Sequence, residues 1–140
     1  MIYVDANYWI YWFDQRLSEH KHVIKTMRSA IHEGIVLNMV TLMEVAHYFR
    51  RLSEEDFHRR LSCIRNLATL KFINLDLNIA ELAFEQLIKY AEIGIGGRDS
   101  VILATMITTD TKRIATHDEV FKKVENLEVV DSVPQSTAKS

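Results

Sequence analysis

The chain has 140 residues, 48% of them hydrophobic, a formal net charge of −2 and a single cysteine. That length and composition suit one domain with its own core and exclude a disordered chain. They also exclude an internal disulfide, and no apolar run approaches the ~20 residues of a membrane-spanning helix. The start, Met1-Ile2-Tyr3-Val4-Asp5, lacks the basic residues that open a signal peptide. Cys63 reads as a small apolar residue on a helix, and a reducing cytoplasmic setting fits it.

Residues 1–4 are apolar β-formers and predict a short buried strand ending at Asp5, with a helix over 6–16 after it. Val23, Ile24, Met27, Ala30 and Ile31 recur at helical spacing, and Gly34 stops that helix. Residues 35–37 predict a second strand. Thr41 is the expected N-cap of a helix whose stripe is Leu42, Val45, Ala46 and Phe49. Ser53 with Asp56 resembles a capping box and opens a helix with the stripe Phe57, Leu61, Ile64 and Ala68. Residues 71–75 predict a third strand. Asp76 or Asn78 caps the next helix, with Ala80, Ala83, Phe84, Leu87, Ile88 and Ala91 on one face. Three of the four glycines lie in the loop 94–97, before a helix over 98–108 that is apolar almost all round and so buried. Strands over 113–115 and 127–130 flank a short helix near 120–124. Strands alternating with helices imply one α/β domain over 1–133, with a mainly parallel sheet of four to five short strands and helices on both sides. Pro134 opens a polar tail, 134–140, expected to be disordered. There is no internal repeat.

Open α/β sheets gather working residues beyond the carboxyl ends of their strands. The first predicted strand delivers Asp5 there and the fourth delivers Asp118; Asp99 follows the glycine loop, and Glu44 borders the apolar face of its helix. Each acid alone has a plain structural reading. Asp5 caps a helix, Asp99 sits in a first helical turn, Glu44 is a solvated helix residue and Asp118 is a turn residue. Four together repel one another and require a cation or protons to persist. Hard oxygen ligands favour Mg²⁺, with Mn²⁺ able to substitute. One or two such ions suit phosphoryl transfer by activated water, without a side-chain nucleophile. Other catalytic apparatus is missing: there is no G-x-S-x-G, H-E-x-x-H, P-loop or paired C-x-x-C, and His20 and His22 read as surface residues. With the four acids set aside, the remaining formal charge is +2, so the charge balance decides little about nucleic acid.

Four segments in this order resemble the motifs of the PIN domain: Tyr3-Val4-Asp5-Ala6-Asn7, Thr41-Leu42-Met43-Glu44-Val45, Arg98-Asp99-Ser100-Val101-Ile102-Leu103-Ala104 and Thr116-His117-Asp118-Glu119-Val120-Phe121. The resemblance spans residues 3–121 and is similar, more narrowly, to the VapC-type ribonucleases of toxin–antitoxin pairs. It implies an endoribonuclease in which Asp5, Glu44, Asp99 and Asp118 are the catalytic, metal-binding acids. Asn7 and Thr116 would orient carboxylates and water by hydrogen bonds. The implied partners are an RNA substrate, an antitoxin protein and a second copy in a homodimer, with no membrane. Ala6, Ser100 and His117 depart from the family's commoner residues without removing an acid. Arg98 is the expected substrate-phosphate contact, beside a basic group of Arg50, Arg51, Arg59, Arg60 and Arg65. Most of Tyr8, Trp9, Tyr11, Trp12 and Phe13 should be core or dimer interface, and any left outside could stack bases or receive an antitoxin helix. Two alternatives stay open: an RNA-processing nuclease with no antitoxin, and a PIN domain that binds RNA or protein without cutting.

Overall fold

A computed structural model describes residues 1–135; the tail expected beyond Pro134 lies, from residue 136 on, outside the described residues. Five short strands, β1 (Ile2–Val4), β2 (Ile35–Asn38), β3 (Leu70–Ile73), β4 (Arg113–Ala115) and β5 (Glu128–Val130), form one sheet in the order β3-β2-β1-β4-β5. Every neighbouring pair is parallel. Six helices connect them: α1 (Ala6–Phe13), α2 (His20–Glu33), α3 (Met39–Tyr48), α4 (Glu54–Arg65), α5 (Leu77–Lys89) and α6 (Gly97–Thr108). Right-handed crossovers put α1–α4 on one face, where the chain steps outward from β1 to β3. They put α5–α6 on the other, where it returns to β4. No helix among the described residues is long and apolar enough to cross a membrane.

β1 is central and wholly buried, as its run Ile2-Tyr3-Val4 requires of a strand covered on both faces. The chain leaves β1 toward β2, and β4 enters on the other side, so the topological switch point lies between β1 and β4. Val4 pairs with Ala115, and the Asp5 amide donates to the Ala115 carbonyl at 3.0 Å. Asp5 and Thr116 are therefore the next residues in register at the switch point, where such sheets bind ligands.

Helix starts follow local hydrogen-bonding logic. Asp5, Ser53, Asp76 and Asp118 cap the elements after them, accepting from the amides of Ala6, Asp56, Ile79 and Val120. Gly34 ends α2 at φ +116°, a backbone conformation that costs glycine least.

Some expectations shift. α1 ends at Phe13 instead of residue 16, because buried Asp14 is its C-cap and grips Arg16 through two side-chain bonds of 2.9 and 2.8 Å. The cap of α3 is Asn38, which accepts from the Val40 amide; Thr41 is buried inside the helix. β3 starts at Leu70 and stops at Ile73, where its register with β2 ends. The segment near 120–124 is a 3₁₀ turn, Glu119–Lys123. On α5 the buried residues are Ile79 and Ala83, whereas Phe84 and Ile88 are exposed: its apolar stripe is wider than the surface α6 covers. Tyr8 and Trp9 are core, the Trp9 indole donating to the Val4 carbonyl at 3.0 Å, and Tyr11, Trp12 and Phe13 pack half-buried at its edge.

Asn38 does two things at once. Its oxygen caps α3 and its amide nitrogen donates to Thr105 Oγ1 on α6 at 2.9 Å, tying the end of β2 to the opposite layer. Asn38→Ala should therefore cost about 2–3 kcal/mol in urea denaturation, a lost cap plus a lost buried bond. The exposed cap substitution Ser53→Ala should cost about 1 kcal/mol. Equal losses would contradict the buried role of Asn38.

Candidate active site

Four segments distant in sequence meet at the carboxyl edge of the sheet. Asp5 follows β1, Glu44 lies on α3, Asp99 is in the first turn of α6 and Asp118 caps the 3₁₀ turn after β4. Their meeting point is the Arg98 guanidinium. Nη1 lies 2.8 Å from Asp5 Oδ1 and 3.1 Å from Glu44 Oε1; Nη2 lies 2.7 Å from Asp99 Oδ1 and 3.7 Å from Asp118 Oδ2. All four acids picked out in the sequence are thus brought together. Arg98, expected to contact a substrate phosphate, is turned inward among them.

The site has a floor and a rim. The Asp5 side chain is 1% exposed and Asp99 13%, while Asp118 and Glu44 reach 35% and 42%, so the cluster opens to solvent on the Glu44–Asp118 side.

The floor is held by hydrogen bonds of fixed sense. Thr116 Oγ1 donates its only proton to Asp5 Oδ2 at 2.7 Å and accepts from the Asp118 amide at 3.0 Å and from Asn7 Nδ2 at 3.4 Å. Asn7 Oδ1 in turn accepts from the His117 amide at 3.3 Å. One hydroxyl therefore sets Asp5 and the Asp118 turn together, and Asn7 locks the hydroxyl. These are the two residues expected to orient the acids.

The electrostatics are those of crowded anions. Burial pushes the Glu44 and Asp99 carboxyls above the usual carboxylate range; Arg98 opposes this, and the neighbouring acids reinforce it. Burial alone would lower the Arg98 guanidinium, but Asp5, Asp99 and Glu44 outweigh it and hold it above its ordinary value. Glu44 Oε1 and Asp99 Oδ1 are buried without any hydrogen bond. Their contacts with Arg98 are ionic and lack hydrogen-bond alignment.

Among the described residues no three acid, histidine or cysteine side chains stand close enough together to hold a metal as they are, since the guanidinium takes up the space between the acids. The donor set nonetheless fits a hard divalent ion. It is four carboxylates, two with oxygens lacking hydrogen bonds, already arranged around one positive charge.

Sequence reasoning missed the support beneath the site. Buried Tyr3 on β1 has its hydroxyl 2.6 Å from Thr41 Oγ1 and accepts from the Asn38 amide at 3.1 Å, so β1, β2 and α3 are joined under Glu44. Burial pushes the Tyr3 phenol far up, which keeps it neutral. Asp131, after β5 and with a side chain only 6% exposed, accepts from the Tyr8 hydroxyl at 2.9 Å and sits 2.8 Å from His117 Nδ1. Neither network leaves a periodic signal, since its members come from different strands. Of the expected basic group, Arg59 pairs with Glu55 and Asp56, Arg60 lies over the Phe49 ring and Arg50 donates to the His47 carbonyl. Among the described residues, Arg98 is the only basic side chain paired with the four acids.

The PIN domain family model matches residues 2–127, so the chain belongs to the PIN domain family. No curated protein matches the sequence. Three solved structures are similar. The Mycobacterium tuberculosis VapC20 toxin, which cleaves the sarcin-ricin loop, is 16% identical with a TM-score of 0.75, over 87% of this chain and 93% of that one. FitAcB from Neisseria gonorrhoeae is 20% identical with a TM-score of 0.70, over 92% and 96%. VapBC2 from Rickettsia felis, bound to a DNA fragment from its promoter, is 18% identical with a TM-score of 0.69, over 94% and 98%. At these identities the likeness is one of fold.

Raised carboxyl pKa values carry a stability consequence of definite sign. A group raised in the folded state contributes stability that is present below its unfolded pKa, near 4, and lost as pH rises through the folded value. At pH 7, Asp99 is therefore a net cost. In chelator, Asp99→Asn should raise stability by roughly 0.5–2 kcal/mol at pH 7, the gain shrinking toward pH 4 in thermal denaturation. A loss at pH 7 would contradict this electrostatic reading.

Proposed function

We propose that this PIN domain is a metal-dependent endoribonuclease and the toxin of a toxin–antitoxin pair. The observation that carries the catalytic part is the convergence of Asp5, Glu44, Asp99 and Asp118 around a single positive charge at the switch point of the sheet. These four residues would hold Mg²⁺, or Mn²⁺ in its place, as one or two ions. Bound there, the ion would supply water activation and charge neutralisation for phosphodiester hydrolysis.

The chain's own residues do the positioning. Asp5 is immobilised by the Ala6 amide at 2.7 Å and by Thr116, so it is the fixed reference of the set. Asp99 enters on the first turn of α6, where the helix N-terminus favours an anion. Glu44 and Asp118, at the open side, face the approaching RNA. Their exposure leaves room for a phosphodiester without deep burial of the strand, as suits single-stranded or looped RNA. The buried Tyr3–Thr41–Asn38 contacts hold α3, and with it Glu44, at its distance from Asp5.

The toxin reading is supported by the likeness to the VapC20 toxin and the VapBC2 complex, nearly end to end on both chains. An antitoxin is the partner this reading brings. A homodimer belongs with it, and the exposed Leu77, Phe84 and Ile88 along α5 are the surface that supports one. A reducing cytoplasmic site of action fits an RNA substrate and the lone, exposed Cys63.

The test is RNA cleavage by purified protein with Mn²⁺ or chelator. Wild type should cut only with metal. Asn7→Ala and Thr116→Val should lose about 10–100-fold, as orienting partners of metal ligands do, and Asp99→Asn more. Metal-independent cleavage, or full activity in Asp99→Asn, would sink the nuclease assignment. A folded wild type that binds RNA and never cuts it would favour the binding-only PIN domain.

A further inference from the structure

Arg98 raises a question the proposed chemistry leaves open, because a guanidinium occupies the place where four ligands converge. We infer that Arg98 is an exchangeable internal counter-ion: it offsets part of the acid cluster's charge when no metal is bound, and metal loading drives it out to the rim. The inference rests on the metal reading above and adds a role for this one residue.

Three observations carry it. The first is exclusive occupancy. The guanidinium reaches Asp5, Glu44 and Asp99 at 2.7–3.1 Å and Asp118 at 3.7 Å. A Mg²⁺ ion binds oxygen at about 2.0–2.1 Å, so the carboxylates must draw inward around it and leave no space for the guanidinium. Two cations at one centre would also repel each other.

The second is the unequal dependence of the acids on Arg98. Asp5 keeps its bonds from Ala6 and Thr116 whether or not Arg98 is present. Glu44 Oε1 and Asp99 Oδ1 are buried and have no hydrogen bond, so a nearby cation is their sole compensation. Without metal, only Arg98 supplies it. Other basic side chains among the described residues are not paired with the cluster.

The third is a way out. The Arg98 side chain is 30% exposed, and the residues before it are Gly96 and Gly97, where an added Cβ would meet nothing within 4 Å. That partial exposure gives the guanidinium a side already open to solvent. At the rim, the guanidinium offers its planar fork to a phosphate of the bound strand. The metal-free protein is then folded but idle, with its phosphate-binding arm folded into its own metal site.

The experiment measures metal affinity, with no turnover. Mn²⁺ binding is followed by calorimetry for wild type and Arg98→Met. Removing the competitor should tighten Mn²⁺ binding by about 10-fold or more, since wild type is metal-competent only in the fraction with Arg98 out. In chelator the variant should melt below wild type, and saturating Mn²⁺ should raise its melting temperature by more. Should Arg98→Met fail to fold, the Arg98 resonance of the wild type decides. The Arg98 Nε–H resonance, assigned by its absence in Arg98→Lys, should move to a free, fast-exchanging position on adding Mg²⁺. Equal Mn²⁺ affinities, or an Arg98 resonance unmoved at saturating Mg²⁺, would overturn the inference and leave the metal reading intact. No Mn²⁺ binding by either protein would overturn the metal reading and the inference with it.

Discussion

Mutual repulsion of four carboxylates is the constraint around which this domain is arranged. Unit charges about 4 Å apart repel by about 4 kcal/mol at an effective dielectric of 20, and here four carboxylates crowd around one guanidinium. Against a typical net stability of about 5–15 kcal/mol, this is affordable only with compensation. The compensation takes two forms here. Hydrogen bonds of fixed direction hold Asp5 and Asp118, and one guanidinium offsets part of the cluster's negative charge. Burial without full pairing leaves Glu44 and Asp99 leaning toward protonation. A strained set of anions of this kind is what a hard cation relieves.

The scaffold explains why the strain sits where it does. A parallel sheet with the order β3-β2-β1-β4-β5 has one place where neighbouring strands send their chains to opposite sides, and β1 and β4 flank it. Asp5 and Thr116 are adjacent there through the Val4–Ala115 pairing. α3 follows β2 without a loop, because Asn38 ends the strand and caps the helix, and this brings Glu44 to the same edge. α6 arrives from the other face, starting with Gly97 and setting Arg98 and Asp99 at its first turn. The buried contacts of Tyr3, Thr41, Asn38 and Thr105 join these elements beneath the acids. Substitutions there would alter the site without touching it.

Much of this was legible in the sequence, for physical reasons that differ by residue. Asp5 stood out because it ends a short apolar run and Asp118 because it closely follows a predicted strand, and strand ends in α/β sheets are where chemistry collects. Glu44 and Asp99 were legible from helical phase and from the glycine loop. The inward turn of Arg98 was not, because its neighbours lie 93, 54, 1 and 20 positions away and no local pattern records a four-way ion pair. Thr41 was misread as a cap because the sequence does not show that Asn38, at the end of a strand, already supplies one. The exposure of Phe84 and Ile88 was hidden for a similar reason: periodicity reveals an apolar stripe, but not how much of it another helix covers.

The four carboxylates are proposed to hold a divalent metal. Anomalous diffraction at the manganese edge, from crystals soaked in Mn²⁺, tests it most directly. The expected result is a peak bounded by Asp5, Glu44, Asp99 and Asp118, with the Arg98 guanidinium withdrawn from between them. A peak elsewhere, or none at saturating Mn²⁺ with the guanidinium still in place, would contradict it.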